Sequence, residues 1–195
     1  VTKTRPNSKN SSSKMDMLFE LVENYEFPIQ HISPTHVGRT LELFEQAIIF
    51  AKMGGMIDIT TGASKYTDPY KSVLHALDSG ASIDNLTFSS DGNAGLDKLD
   101  ENNNLIGFKS APFDQNLEEV INLHLKGGVS FEESIKIITS NPAKNLGLKT
   151  KGHIRKNYDA DICFFDNNYN LQTVIANGKF MMKNEKLIQK GSFEK

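Results

Sequence analysis

Two side chains in this sequence have the types and settings to share one piece of chemistry. His36 stands in Ile32-Ser33-Pro34-Thr35-His36-Val37-Gly38-Arg39, and Asp91 in Leu86-Thr87-Phe88-Ser89-Ser90-Asp91-Gly92-Asn93. Each is a polar residue at the end of a short run, followed by glycine and loop-forming residues. A neutral imidazole in such a place suits Zn2+. A carboxylate can bind the same metal and accept a proton from metal-bound water. Arg39 follows three residues after His36, and its planar fork can hold a substrate carboxylate through two parallel hydrogen bonds. Each residue also has a plainer reading: a histidine bonded to a nearby carbonyl, an aspartate opening a turn, an arginine in a surface ion pair. His31, His75, His124 and His153 lack this placement and read as structural. His75 and His124 fall in helices and His153 in a β segment. HxH, HExxH, CxxC, GxGxxG and P-loop patterns are absent from the sequence. Taken alone, these residues describe an α/β domain with part of a metal site as one reading.

The elements that must position His36 and Asp91 alternate between strand and helix patterns. Ile29–Val37 reads as a strand reaching His36, Met56–Thr60 as a second and Leu86–Ser90 as a third. Between them lie helices over 40–52, striped by Leu41, Phe44, Ile48 and Ala51, and over 68–79, with Pro69 in its first turn. Gly54-Gly55 and Gly80 stop those helices. The alternation predicts a parallel sheet wrapped by helices. In a (β/α) barrel the active site sits where strands hand over to loops, which is where His36 and Asp91 stand. An earlier helix is expected to start at Ser13, with Asp16 as its capping partner, a face of Leu18, Leu21, Val22 and Tyr25, and Pro28 as its end. Residues 92–112, rich in Asn, Asp and Gly, read as a long loop. Helices follow from Asp114 to Lys126, from the Ser130/Glu133 capping box through Thr139, and from Asn141-Pro142 to Gly147. From Lys151 the pattern becomes antiparallel β, with strands at 152–154, 160–165, 173–176, 179–182 and 186–188. Their turns are Asp166-Asn168, Asn177-Gly178 and Lys183-Asn184.

The 195 residues and net charge of −2 allow one domain, or one with a small companion. The scattered lysines argue against a nucleic-acid surface. The longest apolar runs fall far short of the roughly 18 residues of a membrane span. Cys163 is the single cysteine. Its run Ile162-Cys163-Phe164-Phe165 reads as core, with no disulfide and a reducing cytoplasm. The polar first 13 residues read as a disordered lead without a signal peptide. The start at Val1 hints at an unusual start or a truncated reading frame. A complete eight-stranded barrel typically needs about 250 residues, so a barrel of this length is incomplete.

The order of motifs is more specific than any one of them. PTHVGR, LFEQAIIFAKMGGMIDIT, LTFSSDGN, TSNPAKNLGL, KGHIRKNYDADICFFD and VIANGKFM, in that order, resemble the C-terminal half of β-aspartyl (isoaspartyl) dipeptidases, of the metal-dependent amidohydrolase superfamily. The resemblance runs from about Lys14 to the end of the chain. It implies a partial (β/α)8 TIM-type barrel over 14–149, comprising the last three or so β/α units, and the C-terminal strands of a small β-sandwich over 150–195. It implies two Zn2+ ions per complete site. Their ligands are an HxH, a carboxylated lysine, histidines on the fifth and sixth strands and an aspartate on the eighth. By motif His36 matches the sixth-strand histidine, and Asp91 the eighth-strand aspartate, which is both ligand and proton carrier. Arg39 matches the arginine that holds a substrate carboxylate. Asp159, Ala160 and Asp161 match the return into the sandwich. Departures accompany these matches. HxH and lysine are missing, Arg5-Pro6-Asn7-Ser8 stands where the fifth-strand histidine belongs, and Gly95 replaces a serine. Two of the expected ligands remain. The resemblance implies a β-aspartyl dipeptide substrate and, for complete members, a homo-oligomer. It leaves two alternatives: a non-catalytic fragment or subunit needing a separate N-terminal half, and another amidohydrolase of dihydroorotase or deacetylase type.

Overall fold

The structure is a computed structural model that describes residues 15–62, 65–92, 94–110 and 113–190, and all side chains among them except Leu96, Lys109 and Ser110. The expected polar lead, the Ser13 cap and the Arg5–Ser8 stretch lie outside the described residues.

The core forms where β1 (Ile57–Thr60) pairs in parallel with β2 (Leu86–Ser89), with Ile57 opposite Leu86 and Thr60 opposite Ser89. Parallel strands need a crossover, which α3 (Pro69–Asp78) supplies. Proline at its first position gives up an N–H that a helix would leave unbonded. Ahead of β1 runs α2 (Leu41–Lys52), whose Thr40 side chain accepts from the Leu43 N–H. Phe44, Ala47, Ile48, Phe50 and Ala51 of α2 are buried with Ile57, Ile59, Leu86 and Phe88. Each such large side chain contributes about 1.5–3 kcal/mol of burial. Leu41, expected on that stripe, is half exposed.

Helix α1 (Asp16–Asn24) buries Phe19, with Met15 just before it; of the expected face Leu18 and Val22 pack partly buried against the core, whereas Leu21 and Tyr25 are exposed. Packing sets its rotation, because Phe19 meets Phe50 edge-to-face at 6.0 Å. After β2, α4 (Gln115–Leu125) and α5 (Phe131–Lys136) pack against each other. The Ser130 side chain accepts from the Glu133 N–H as the capping pattern predicts. On α6 (Ser140–Asn145), buried Asn141 donates to the Ile83 and Leu86 carbonyls at 2.8 Å each, fastening that helix to β2.

Three expected elements differ. The strand expected over 29–37 is two short 3-10 turns, Ile29–His31 and Val37–Arg39, flanking an extended piece. Pro28 and Pro34 cannot donate to a ladder, and the backbone meets β1 through one bond, from Asp58 N–H to Pro34 O. The expected loop over 92–112 contains an antiparallel hairpin, β3 (Gly95–Leu99) and β4 (Leu105–Ser110). The Asp100 carboxylate closes its turn by accepting from Asn102 and Asn104. The third difference lies at 152–154, where the chain makes a bend instead of a strand. Gly152 there has φ +78°, and a Cβ on it would come within 2.9 Å of Thr139 O and Ala143 Cβ.

The C-terminal sheet runs in the order β5 (Ile162–Phe165), β6 (Leu171–Ala176), β7 (Lys179–Lys183), β8 (Lys186–Leu187), all antiparallel. Its turns fall where the Asn and Gly residues predict. Cys163, expected in a core, is exposed, because β5 carries its apolar run on a sheet with no buried position. Partial shielding still raises the thiol pKa. No helix among the described residues is long and apolar enough to cross a membrane.

Candidate functional site

His36 and Asp91 face each other across the carboxyl ends of β1 and β2. His36 Nε2 lies 4.0 Å from Asp91 Oδ2, and the two side chains are 26% and 40% exposed. That distance exceeds a hydrogen bond. Both residues occupy the left-handed region, His36 at φ 58° and Asp91 at φ 53°, which is uncommon for any side-chain-bearing residue. At Asp91 the turn is closed by the Gly92 N–H donating to Ser90 Oγ and the Ala94 N–H donating to Asp91 O. His36 precedes the 3-10 turn Val37–Arg39. Its Nδ1 lies 2.6 Å from Thr60 Oγ1, at the end of β1, so the other ring nitrogen is the one turned toward Asp91. Arg39 is exposed at the end of the same turn.

Beneath this pair lies a polar cluster that sequence reasoning missed. Asp58, buried on β1, accepts hydrogen bonds from Thr35 Oγ1 at 2.6 Å, Ser89 Oγ at 2.6 Å and Thr87 Oγ1 at 2.9 Å. The signal was present in the alternation Ile57-Asp58-Ile59-Thr60, which puts Asp58 and Thr60 on one face of a fully buried strand. Gly62 lets β1 run on close beside β2, since a Cβ there would sit 2.5 Å from Ser90 O. Thr61 then donates to Asn116 Oδ1 on α4.

The other histidines sit in structural contacts. His75 lies between Glu45 at 3.0 Å and the Tyr66 hydroxyl at 3.3 Å. His124 bonds the Val129 carbonyl and, at 2.7 Å, the Tyr169 hydroxyl. The rings of His31 and His153 lie against Phe27 and Tyr158. His153 lies outside the β strands, contrary to expectation. An apolar groove of about 760 Å3 lies elsewhere, between α5–α6 and β5–β6, where Phe131, Ile138, Ala143, Ile162, Cys163 and Phe165 contribute to its walls. It contains none of His36, Arg39 and Asp91.

Two donors of one tetrahedral zinc would stand about 3.4 Å apart for metal–ligand distances near 2.1 Å. His36 Nε2 and Asp91 Oδ2 need to close by only about 0.6 Å to meet that. The pair therefore fits as two donors of one site. A catalytic zinc usually takes three protein donors, and no group of three or more His, Cys, Asp or Glu among the described residues could hold a metal.

A family model described as "Amidohydrolase family" matches residues 17–181. A β-aspartyl dipeptidase from Fervidobacterium islandicum AW-1, solved in complex with the β-Asp-Leu dipeptide, superimposes with a TM-score of 0.79 at 36% identity. The match covers 94% of this chain and 48% of that one. A second structure of a β-aspartyl dipeptidase from F. islandicum AW-1 gives a TM-score of 0.75 at 33% identity, over 94% and 47% of the two chains. The chain thus spans about half the length of these relatives. An amidohydrolase from Thermotoga maritima shares the fold at 17% identity, with a TM-score of 0.57 over 89% of this chain and 42% of its own.

Proposed function

The chain belongs to the amidohydrolase family, and from that premise we propose that it carries one half of a β-aspartyl dipeptidase site. The substrates are β-aspartyl (isoaspartyl) dipeptides, and the reaction is hydrolysis of their amide bond. The observation that carries this reading is the opposition of His36 and Asp91 at 4.0 Å, on a chain 36% identical to an enzyme solved with β-Asp-Leu. In this reading 14–149 is part of a (β/α)8 barrel and 150–195 part of a small β-sandwich. The single cysteine suits a cytoplasmic enzyme, and the assembled protein is a homo-oligomer.

His36 Nε2 and Asp91 would hold the zinc, which supplies a Lewis acid and a water acidified to near neutrality when bound. Thr60 steadies the imidazole through Nδ1, as a second-layer partner of a metal-binding histidine does. Asp91 accepts a proton from the attacking water at its carboxylate and returns it to the departing amine. The exposed guanidinium of Arg39 binds a substrate carboxylate in two parallel bonds. With two donors, the chain is expected to need the complementary half to work.

The test is turnover of β-Asp-Leu with zinc, by the chain alone and after mixing with the unmatched half of the Fervidobacterium enzyme. Activity is expected only in the mixture, and Asp91→Asn is expected to lower it by about 100-fold or more. Equal turnover by Asp91→Asn, or faster hydrolysis of an N-acetyl sugar phosphate or dihydroorotate than of β-Asp-Leu, would overturn the assignment. Turnover by the chain alone would overturn the claim that the site is incomplete. A second reading, a non-catalytic fragment, is favoured by the absence of a third donor among the described residues. It predicts that the mixture, too, stays inactive.

A further inference from the structure

His36 is held in a left-handed backbone conformation in a segment with no ladder of its own. Such a conformation persists only when its surroundings fix it. The long-range hydrogen bonds of residues 34–36 lead to β1. The Asp58 N–H donates to Pro34 O at 2.9 Å, and the Asp58 carboxylate accepts the Thr35 hydroxyl at 2.6 Å. Thr60, two residues on and on the same face, meets the His36 ring itself. The strand opposite completes the arrangement. Thr87 and Ser89 of β2, in register with Asp58 and Thr60, both donate to the same carboxylate. Three hydroxyl donors thus converge on one buried acceptor, and one of them belongs to the residue immediately before His36. An ionised carboxylate accepts several hydrogen bonds and donates none, so it holds all three hydroxyls in one orientation.

We propose that Asp58 is the positioning residue of this site: by gathering the Thr35, Thr87 and Ser89 hydroxyls, it clamps the 34–36 segment to the β1–β2 pair and fixes the His36 ring opposite Asp91. Asp58 acts through Thr35 and the strands, and touches neither member of the pair. The proposal rests on reading His36 and Asp91 as the site. Its readout needs neither metal nor substrate, so its failure is distinct from a failure of hydrolysis.

The experiment uses the full chain labelled with 15N. Long-range 1H–15N spectra of the imidazoles are recorded at about pH 8, where unperturbed histidines are neutral, with the His36 signals identified by their loss in His36→Asn. One dominant tautomer is expected for His36 in the parent chain. Asp58→Asn keeps the shape but offers one acceptor oxygen and an NH2 donor, so the three hydroxyls cannot all donate. In that variant the His36 nitrogens are expected to move toward the average of two tautomers, while His75 and His124 stay put. An unchanged His36 pattern overturns the proposal. So does a change in all five imidazoles together, which marks general loosening. Thr35→Val removes the one hydroxyl that ties the clamp to the His36 segment and leaves Asp58 with its two β2 donors. It covers the case in which Asp58→Asn does not fold. It is expected to shift His36 in the same direction, and an unaltered His36 there also overturns the proposal.

Discussion

Every residue of β1 is buried, as are three of the four in β2, whereas residues 151–190, with all four strands β5–β8, contain no buried position. Around the parallel pair, apolar side chains from α1, α2, α3 and α4 close on the strands, and the buried Asp58 and Thr87 are hydrogen-bonded to each other. The antiparallel sheet is attached by a few contacts instead. The Phe131 ring lies 4.9 Å from Tyr169 and 6.1 Å from Phe165. Tyr169 reaches His124, and within the region itself Lys151 bonds both Asp159 and Asp161. One region draws its stability from burial and the other from its attachment to a neighbour. The candidate site belongs to the first region, where close packing can hold two side chains at a fixed separation.

Removing one ring from each region should separate them most clearly. Phe44→Ala empties a fully buried position and is expected to cost about 3–5 kcal/mol in denaturant unfolding. Phe164→Ala, half exposed on β5, is expected to cost no more than about 1 kcal/mol. Equal losses would mean that the sheet has a core of its own. A smaller effect sharpens the picture. Tyr169→Phe removes the hydroxyl that meets His124 and is expected to cost about 1 kcal/mol. Hydrogen exchange should show faster β5–β6 amides and unchanged β1–β2 amides. The smallest effect concerns pH. Hydrogen bonding to Lys151 first, and then to the Asn177 N–H, lowers the Asp161 pKa, and Asp161 and Asp159 raise that of Lys151. A carboxyl with a depressed folded value stabilises above its ordinary value, near 3.9, and loses that contribution as pH falls through the folded one. A raised amine stabilises below about 10.4 and loses it as pH rises further. Proteolytic nicking around 151–161 should therefore be slowest between about pH 4 and 10, with a shallow rise outside. Lys151→Met should flatten that profile.

Much of the fold was legible locally. The cap at Ser130, Pro69, and the Asn-Gly turn of the last strands act within a few residues of themselves, so their sequence meaning survives folding. The rotation of α1 and the exposure of Cys163 were not legible, because a ring from another helix decides the first and the lack of a covering layer decides the second. The 92–112 stretch read as a loop because its turn depends on which groups the Asp100 carboxylate collects. At the site, His36, Arg39 and Asp91 could be nominated from type, setting and motif order. Asp58 was signalled only by the alternation Ile57-Asp58-Ile59-Thr60, which gives its face of the strand but not the hydroxyls that meet it there.

The set of reactive groups and the local signals that start and stop most helices are written in the chain, since both depend on side-chain chemistry over a few residues. Only the tertiary structure decided that an imidazole and a carboxylate 55 positions apart stand at 4.0 Å. The parallel register of β1 and β2 and the hydroxyls gathered on Asp58 set that distance, and both arise from contacts between segments far apart in the chain.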